Sequence, residues 1–173
     1  MDTLSLALHA AFAAILVGPQ VLLFYAVVPS TWLIDDEQLR SAVTRVVTRR
    51  FATLAVIALV GLFATGLYQF YQDDVVPEQV RENMMDFRWG LVFSTKMTLV
   101  LVLIAMIAVH GLYFGRRIRE ASDAIAAGRG DRARLEQLRR NSLLFSTLMV
   151  LVSIAIVMLG ATLAHHPYSL QPR

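Results

Sequence analysis

The sequence predicts an all-α membrane protein, a bundle of four transmembrane helices. Of its 173 residues, 57% are hydrophobic and only 17% are charged, a composition too apolar for a water-soluble domain of this length. Four segments each supply the roughly 20 apolar residues with which a helix crosses a bilayer. We therefore expect one domain, residues 1–173, with spans at residues 4–28, 51–71, 89–114 and 142–164.

The first span is expected to be a retained helix and not a cleaved signal peptide. Only Asp2 precedes it where a signal peptide carries basic residues, and its apolar run is longer than that of a signal peptide. Inside the span, Pro19 removes a backbone hydrogen-bond donor and predicts a bend. Gln20 is expected to repair this polar gap or contact a neighbouring helix, the alternative being contact with a substrate or cofactor.

The second and third spans are flanked by arginine-rich segments. Residues 29–50 and 115–141 carry 12 arginines between them, whereas residues 72–88 carry two arginines against five acids. Basic loops remain in the cytoplasm, so we expect a multi-pass protein of the cell membrane with the arginine-rich loops inside and both termini outside. The same rule accounts for the net charge of +3, so the basic residues do not indicate that the protein binds nucleic acid. The expected partner is the lipid bilayer.

The arginine-rich segments are themselves expected to be helical. Residues 35–50 predict a helix that runs on into the second span, and residues 116–140 predict two helical pieces around a turn at residues 128–130. Acid–arginine pairs at helical spacing, such as Glu136 with Arg139, predict a solvated face.

The third span contains the only lysine of the chain, Lys96, which is also the only charged side chain between residues 89 and 114. An ionisable group at membrane depth costs roughly 2.5–3.5 kcal/mol on insertion scales and usually marks a functional site. His110 lies on nearly the same helical face, but about 21 Å further along the axis at 1.5 Å per residue. The two side chains are therefore not expected to serve one small site.

The fourth span completes a polar layer near one end of the bundle. Odd-numbered spans run inward and even-numbered spans run outward, so polar residues of several spans meet in the outer portion. They are His9, Lys96, Tyr68, Gln69, His165 and His166. The alternative is structural: Lys96 snorkels to the outer interface and the histidines are satisfied locally.

The leading interpretation of this layer is a b-type haem, because imidazole is a good axial ligand and bundles hold haem between helices. His9 would be one axial ligand. His165, His166 or neutral Lys96 would be the second, unless Lys96 stays charged and pairs with a haem propionate. Electron transfer to a partner, or oxidation of a porphyrin, would follow from such a haem.

Copper is the alternative ligand, since Cu(I) favours imidazole and thioether groups. Copper binding or transport would use His9, His165 and His166, with Met84 and Met85 of the outer loop as further candidate ligands. A third interpretation is a non-catalytic accessory subunit that docks other membrane subunits on its arginine-rich helices.

The absence of cysteine excludes disulfides, thiolate metal sites, iron–sulfur clusters and c-type haem, and no hydrolase motif occurs. Whether the chain is an enzyme is left open.

Short motifs near the span ends carry a family resemblance. They are Leu8-His9, Arg49-Arg50-Phe51, Gly66, Trp89-Gly90, Lys96 and Arg116-Arg117. With them the chain resembles the CopD-like integral membrane family, named for copper resistance, and is similar also to HemJ-type four-helix protoporphyrinogen oxidases. The first resemblance implies copper handling at the outer face. The second implies that His9 and Lys96 serve a b-type haem and the oxidation of protoporphyrinogen IX.

Overall fold

The computed structural model describes residues 3–172, which fold into helices without a strand. Four helices are long and apolar enough to cross a membrane. We label the helices α1 (Thr3–Leu33), α2 (Glu37–Phe70), α3 (Glu78–Glu82), α4 (Arg88–Ala126), α5 (Arg132–Ala164) and α6 (His166–Ser169). The prediction of an all-α protein with four spanning helices is confirmed, and the chain is a multi-pass membrane protein.

The long helices are apolar around most of their circumference. Large hydrophobic side chains such as Val56, Phe63 and Leu101 are exposed on the protein surface in the middle of their helices. A helix that is hydrophobic all round belongs in a protein core or in a membrane. These side chains are therefore the surface that lipid covers.

The long helices extend beyond the expected spans. The helix predicted for residues 35–50 is confirmed, because α2 begins at Glu37, where the Asp36 carboxylate accepts a 2.8 Å hydrogen bond from the Gln38 amide. The turn predicted at residues 128–130 is confirmed as well. Gly128 has a φ of +71°, which favours glycine, and separates the end of α4 from the start of α5.

Two of the long helices contain π-helical turns. In α1 the helix continues through Pro19, and the departure from α-helical hydrogen bonding is the π-helical turn Leu23–Val27. Gln20, the residue expected to repair the polar gap, is buried. In α4 a second π-helical turn, His110–Phe114, precedes the arginine-rich stretch Gly115–Ala126. Such turns are rare and often accompany functional sites.

The chain forms two compact units. The first unit consists of Met1–Val17, Leu54–Val102 and Val152–Arg173, and the second of Gly18–Thr53 and Leu103–Leu151. Each of the four long helices contributes to both. The single domain expected for residues 1–173 stays a prediction.

The first unit has an apolar core beneath the connection between α2 and α4. Val76, Val80, Trp89 and Leu163 are buried together, and the Trp89 ring stacks on Phe93 with centroids 4.7 Å apart. Aromatic pairs of this kind add about 0.5–1.5 kcal/mol beyond the area they bury. This core fixes the connection against the end of α5.

The second unit is joined by a polar network that links three helices. The Glu37 carboxylate of α2 accepts hydrogen bonds from Arg139 of α5 at 2.6 Å and from Ser122 of α4 at 2.9 Å. Arg139 also pairs with Glu136 at 3.0 Å, and Glu136 lies 3.8 Å from Arg40. The side chains of Glu37 and Arg139 are only 19% and 18% exposed. The solvated face predicted for the Glu136–Arg139 pair is thus, at Arg139, a partly buried contact between helices.

Candidate functional site

His9 of α1 is bonded to Thr65 of α2 within the first unit. The His9 Nδ1 and Thr65 Oγ1 atoms are 2.8 Å apart, and Thr65 Oγ1 also lies 2.7 Å from the Gly61 carbonyl oxygen. A hydroxyl has one proton, and the carbonyl can only accept, so Thr65 donates to Gly61 and accepts from His9. With both hydrogen bonds made, the ring proton of a neutral His9 is on Nδ1 and the lone pair is on Nε2.

The position of His9 is set by a line of contacts between α1 and α2. On one side of His9, Gln69 Nε2 donates to the Ser5 carbonyl at 3.0 Å and to its hydroxyl at 3.2 Å. On the other side, a Cβ added at Gly61 would come within 2.5 Å of the Phe12 ring. Contacts at residues 5, 9 and 12 of α1 meet residues 69, 65 and 61 of α2, so these segments run antiparallel in one register.

A small residue lets α2 approach the His9 ring closely. A Cβ added at Gly66 would lie 3.3 Å from His9 Cε1, tighter than most side-chain contacts. Small residues at helix contacts allow this close approach in membrane bundles. Gly66 and Thr65 together hold the ring in one orientation.

Lys96 of α4 lies over Gly160 of α5. A Cβ added at Gly160 would be 3.5 Å from Lys96 Nζ and 3.9 Å from its Cε, so the amine rests on the backbone of the neighbouring helix. The side chain is half-buried. An amine directed at a helix contact differs from the snorkelling alternative, in which the head leaves the bundle for water.

Lys96 and His9 both belong to the first unit. The structure thus places in one unit two of the residues predicted to share a polar layer.

His165 and His166 lie at the junction between α5 and α6. The backbone of His165 leaves the helical conformation, and its carbonyl accepts hydrogen bonds from the amides of Tyr168 and Ser169 at 3.0 Å each. His165 is exposed and His166 is half-buried. The described contacts join neither histidine to His9 or Lys96.

Met84 and Met85, between α3 and α4, occupy two environments. Met84 packs against the apolar core of the first unit, and its carbonyl crosses directly over Gly90, where a side chain would collide with it. Met85 is exposed. Within residues 3–172, no group of three or more His, Cys, Asp or Glu side chains is arranged to hold a metal ion.

His110 belongs to the second unit and has a different environment. Its ring stacks on Phe145 with centroids 6.2 Å apart and planes 8° from parallel. Its Nδ1 atom is the one buried side-chain nitrogen or oxygen in the described residues without a hydrogen-bond partner. The sequence predicts that His110 and Lys96 are too far apart along their helix to share one site. In the structure, the two residues belong to different units.

Sequence reasoning missed the residues that hold the two polar side chains. Thr65 orients His9, and Gly66 and Gly160 provide the surfaces against which His9 and Lys96 rest. The available signal was a threonine beside a glycine in an apolar helix, a composition typical of helix contacts in membranes. That signal does not identify which helix is contacted.

Comparison with known proteins gives one result. The model of a family described as CopD, copper resistance protein D, matches residues 45–164, which is more than half of the chain. The matched region includes Lys96, whereas His9 precedes it and His165 follows it. No curated protein and no solved structure matches the chain. The match agrees with the CopD-like resemblance and gives no support to the similarity with HemJ-type proteins.

Proposed function

Because the chain belongs to the copper resistance protein D family, we propose that it binds copper transiently within the membrane and transports it. The proposed ligand atom is His9 Nε2 in the first unit. Copper is the cargo of this site, not a resident cofactor. Lys96 modulates the affinity of the site and is not required as a ligand.

The observation that carries this proposal is the hydrogen bond from His9 to Thr65. Histidines that bind metals usually donate their second ring N–H to a protein acceptor, which fixes both the tautomer and the ring orientation. Thr65 is that acceptor at 2.8 Å, and its own proton is engaged by Gly61. The imidazole is thus held with its lone pair on Nε2, the form that binds a metal.

Cu(I) is the oxidation state that suits this site. Imidazole binds it well, and the ion accepts few, soft ligands, whereas hard cations require several oxygen ligands. The sequence places no carboxylate in residues 89–114, and the sole charge there is the cation Lys96. A divalent ion would meet stronger repulsion from that ammonium than a monovalent one.

Transport requires an ion to enter a site and to leave it, so binding must be moderate. A single oriented imidazole attracts the ion, and a positive charge on Lys96, in the same unit, opposes it. We assign to Lys96 the role of keeping copper exchangeable at His9. His165 and His166, at the exposed end of α5, are available to deliver the ion to this layer or receive it.

The interpretation as a haem protein has less support. The Nε2 lone pair of His9 would also suit haem iron, but the family match points to copper. The visible spectrum of the purified protein separates the two cofactors.

The test is anaerobic loading of the detergent-purified full chain with Cu(I), followed by elemental analysis and a visible spectrum. We expect about one copper per chain, no Soret band, and loss of bound copper in His9→Ala. The matched control is His110→Ala, which removes an imidazole from the second unit and should keep the copper. Retention of copper by His9→Ala, or a Soret band that His9→Ala abolishes, overturns the proposal.

A further inference from the structure

We propose that a groove on α4 binds the headgroup of an anionic phospholipid. The groove has a volume of about 400 Å³ and belongs to the second unit. It is lined by Leu112, Tyr113, Arg116, Arg117 and Glu120. Lipid binding in this groove does not depend on copper binding at His9.

The groove lies where α4 changes from an apolar helix to a basic one. Its lining residues recur at spacings of three and four, so they share one face of the helix. Leu112 is 77% exposed and Tyr113 is 51% exposed, although both are large and apolar or aromatic. Tyrosines at such positions are typical of the membrane–water interface, the depth at which lipid headgroups lie.

Two guanidinium groups are held in place at this boundary. Arg117 stacks over the Tyr113 ring, 5.5 Å from its centroid. Arg116 donates through Nε to Glu120 at 2.7 Å and remains 76% exposed. Its Nη atoms carry four further N–H donors, which can bind a second acceptor.

The combination fits a phospholipid phosphate better than a free anion. A guanidinium binds phosphate through two parallel hydrogen bonds, and preorganised guanidiniums lose little entropy on binding. The exposed Leu112 provides an apolar surface beside the charged groups, which an acyl chain can cover and inorganic phosphate cannot use. The single carboxylate, Glu120, is engaged with Arg116, so the groove keeps a net positive charge.

The groove includes part of the π-helical turn His110–Phe114. Leu112 and Tyr113 lie inside this turn, and Arg116 follows it in α-helical conformation. Such turns are rare and frequently occur at functional sites.

The test counts lipids bound to the detergent-purified full chain by native mass spectrometry. The chain is titrated with phosphatidylglycerol, and in parallel with phosphatidylcholine, which carries the same phosphate without net charge. We expect the double variant Arg116→Gln, Arg117→Gln to bind phosphatidylglycerol roughly twenty- to thirtyfold more weakly, because each basic residue near an anionic surface contributes about fivefold. Tyr113→Leu, which keeps both charges but removes the ring under Arg117, should weaken binding less.

The matched control is Arg132→Gln, Arg134→Gln, which removes two exposed arginines from the start of α5. It should bind phosphatidylglycerol nearly as the unaltered chain does. Equal weakening in the two double variants would show attraction to the overall charge and would overturn the site. Displacement of the lipid by inorganic phosphate at the same concentration would also overturn it, because the groove would then bind any phosphate.

Discussion

Replacement of Thr65 by valine tests the proposed copper site at the residue that orients the ligand. Valine has nearly the shape of threonine, so the contact between α1 and α2 stays filled. What disappears is the acceptor of the 2.8 Å hydrogen bond from His9 Nδ1. The ring can then rotate, and its proton can move to Nε2, the atom that the proposal assigns to copper.

The expected effect follows from the loss of one second-sphere hydrogen bond. Such losses reduce metal affinity by about 10- to 100-fold, which corresponds to roughly 1.4–2.7 kcal/mol. The effect on folding should be smaller, about 1 kcal/mol, the usual contribution of one hydrogen bond. Copper affinity and stability should therefore respond to different extents.

The assay is competition for Cu(I) with a chromophoric chelator, performed anaerobically in detergent. Thr95→Val is the matched control, since the Thr95 hydroxyl donates to the Leu91 carbonyl of its own helix at 2.8 Å and bonds to no histidine in the described residues. It should leave affinity unchanged. If Thr65→Val and Thr95→Val bind copper alike, the tautomer argument is wrong, even if His9 remains a ligand.

Three further perturbations test other parts of the structure. Lys96→Met should tighten copper binding about tenfold, because one like charge that opposes the bound ion costs on the order of 1 kcal/mol at an effective dielectric of about 20; unchanged affinity in the chelator assay contradicts the modulating role. Gly61→Ala should be about 1–3 kcal/mol less stable than Gly111→Ala in detergent unfolding, because the added methyl meets Phe12 at one site and open space at the other. Glu37→Gln should lower the unfolding free energy by about 1–3 kcal/mol, since it removes the acceptor charge of a partly buried network; a stability equal to that of the unaltered chain would show that the network contributes nothing.

The sequence predicts the helices well because their determinants are local. Apolar runs of sufficient length identify the spans, and the turn at Gly128 follows from glycine in a polar segment. The lengths of the helices are less evident. Helix α2 starts at Glu37 because Asp36 caps it and because Glu37 is bound by residues far along the chain. The second of these causes is not readable from neighbouring residues.

The candidate site is predictable only in part for the same reason. His9 and Lys96 stand out because polar side chains in a span are expensive, and helix direction places them at the same depth. Their supports, Thr65, Gly66 and Gly160, depend on the register between pairs of helices. Helical periodicity fixes which face a residue occupies, but several rotations and shifts of two apolar helices satisfy it equally. Register is decided by packing, so it required the structure.

Under the proposed function, the site binds copper with few ligands, and the charge at Lys96 is consistent with this. A storage site surrounds its metal with several ligands and compensates its charge, and the described residues contain no such group of His, Cys, Asp or Glu. A site for a transported ion has few ligands. One oriented donor replaces part of the water bound to the ion, and a neighbouring charge of the same sign weakens binding so that the ion can leave. In this proposal, His9 held by Thr65 provides the donor, and a positive charge on Lys96, which lies over Gly160, provides the repulsion. A positive charge on Lys96 raises the free energy of the copper-bound state. In a transporter, this weaker binding shortens the time that the ion stays at His9.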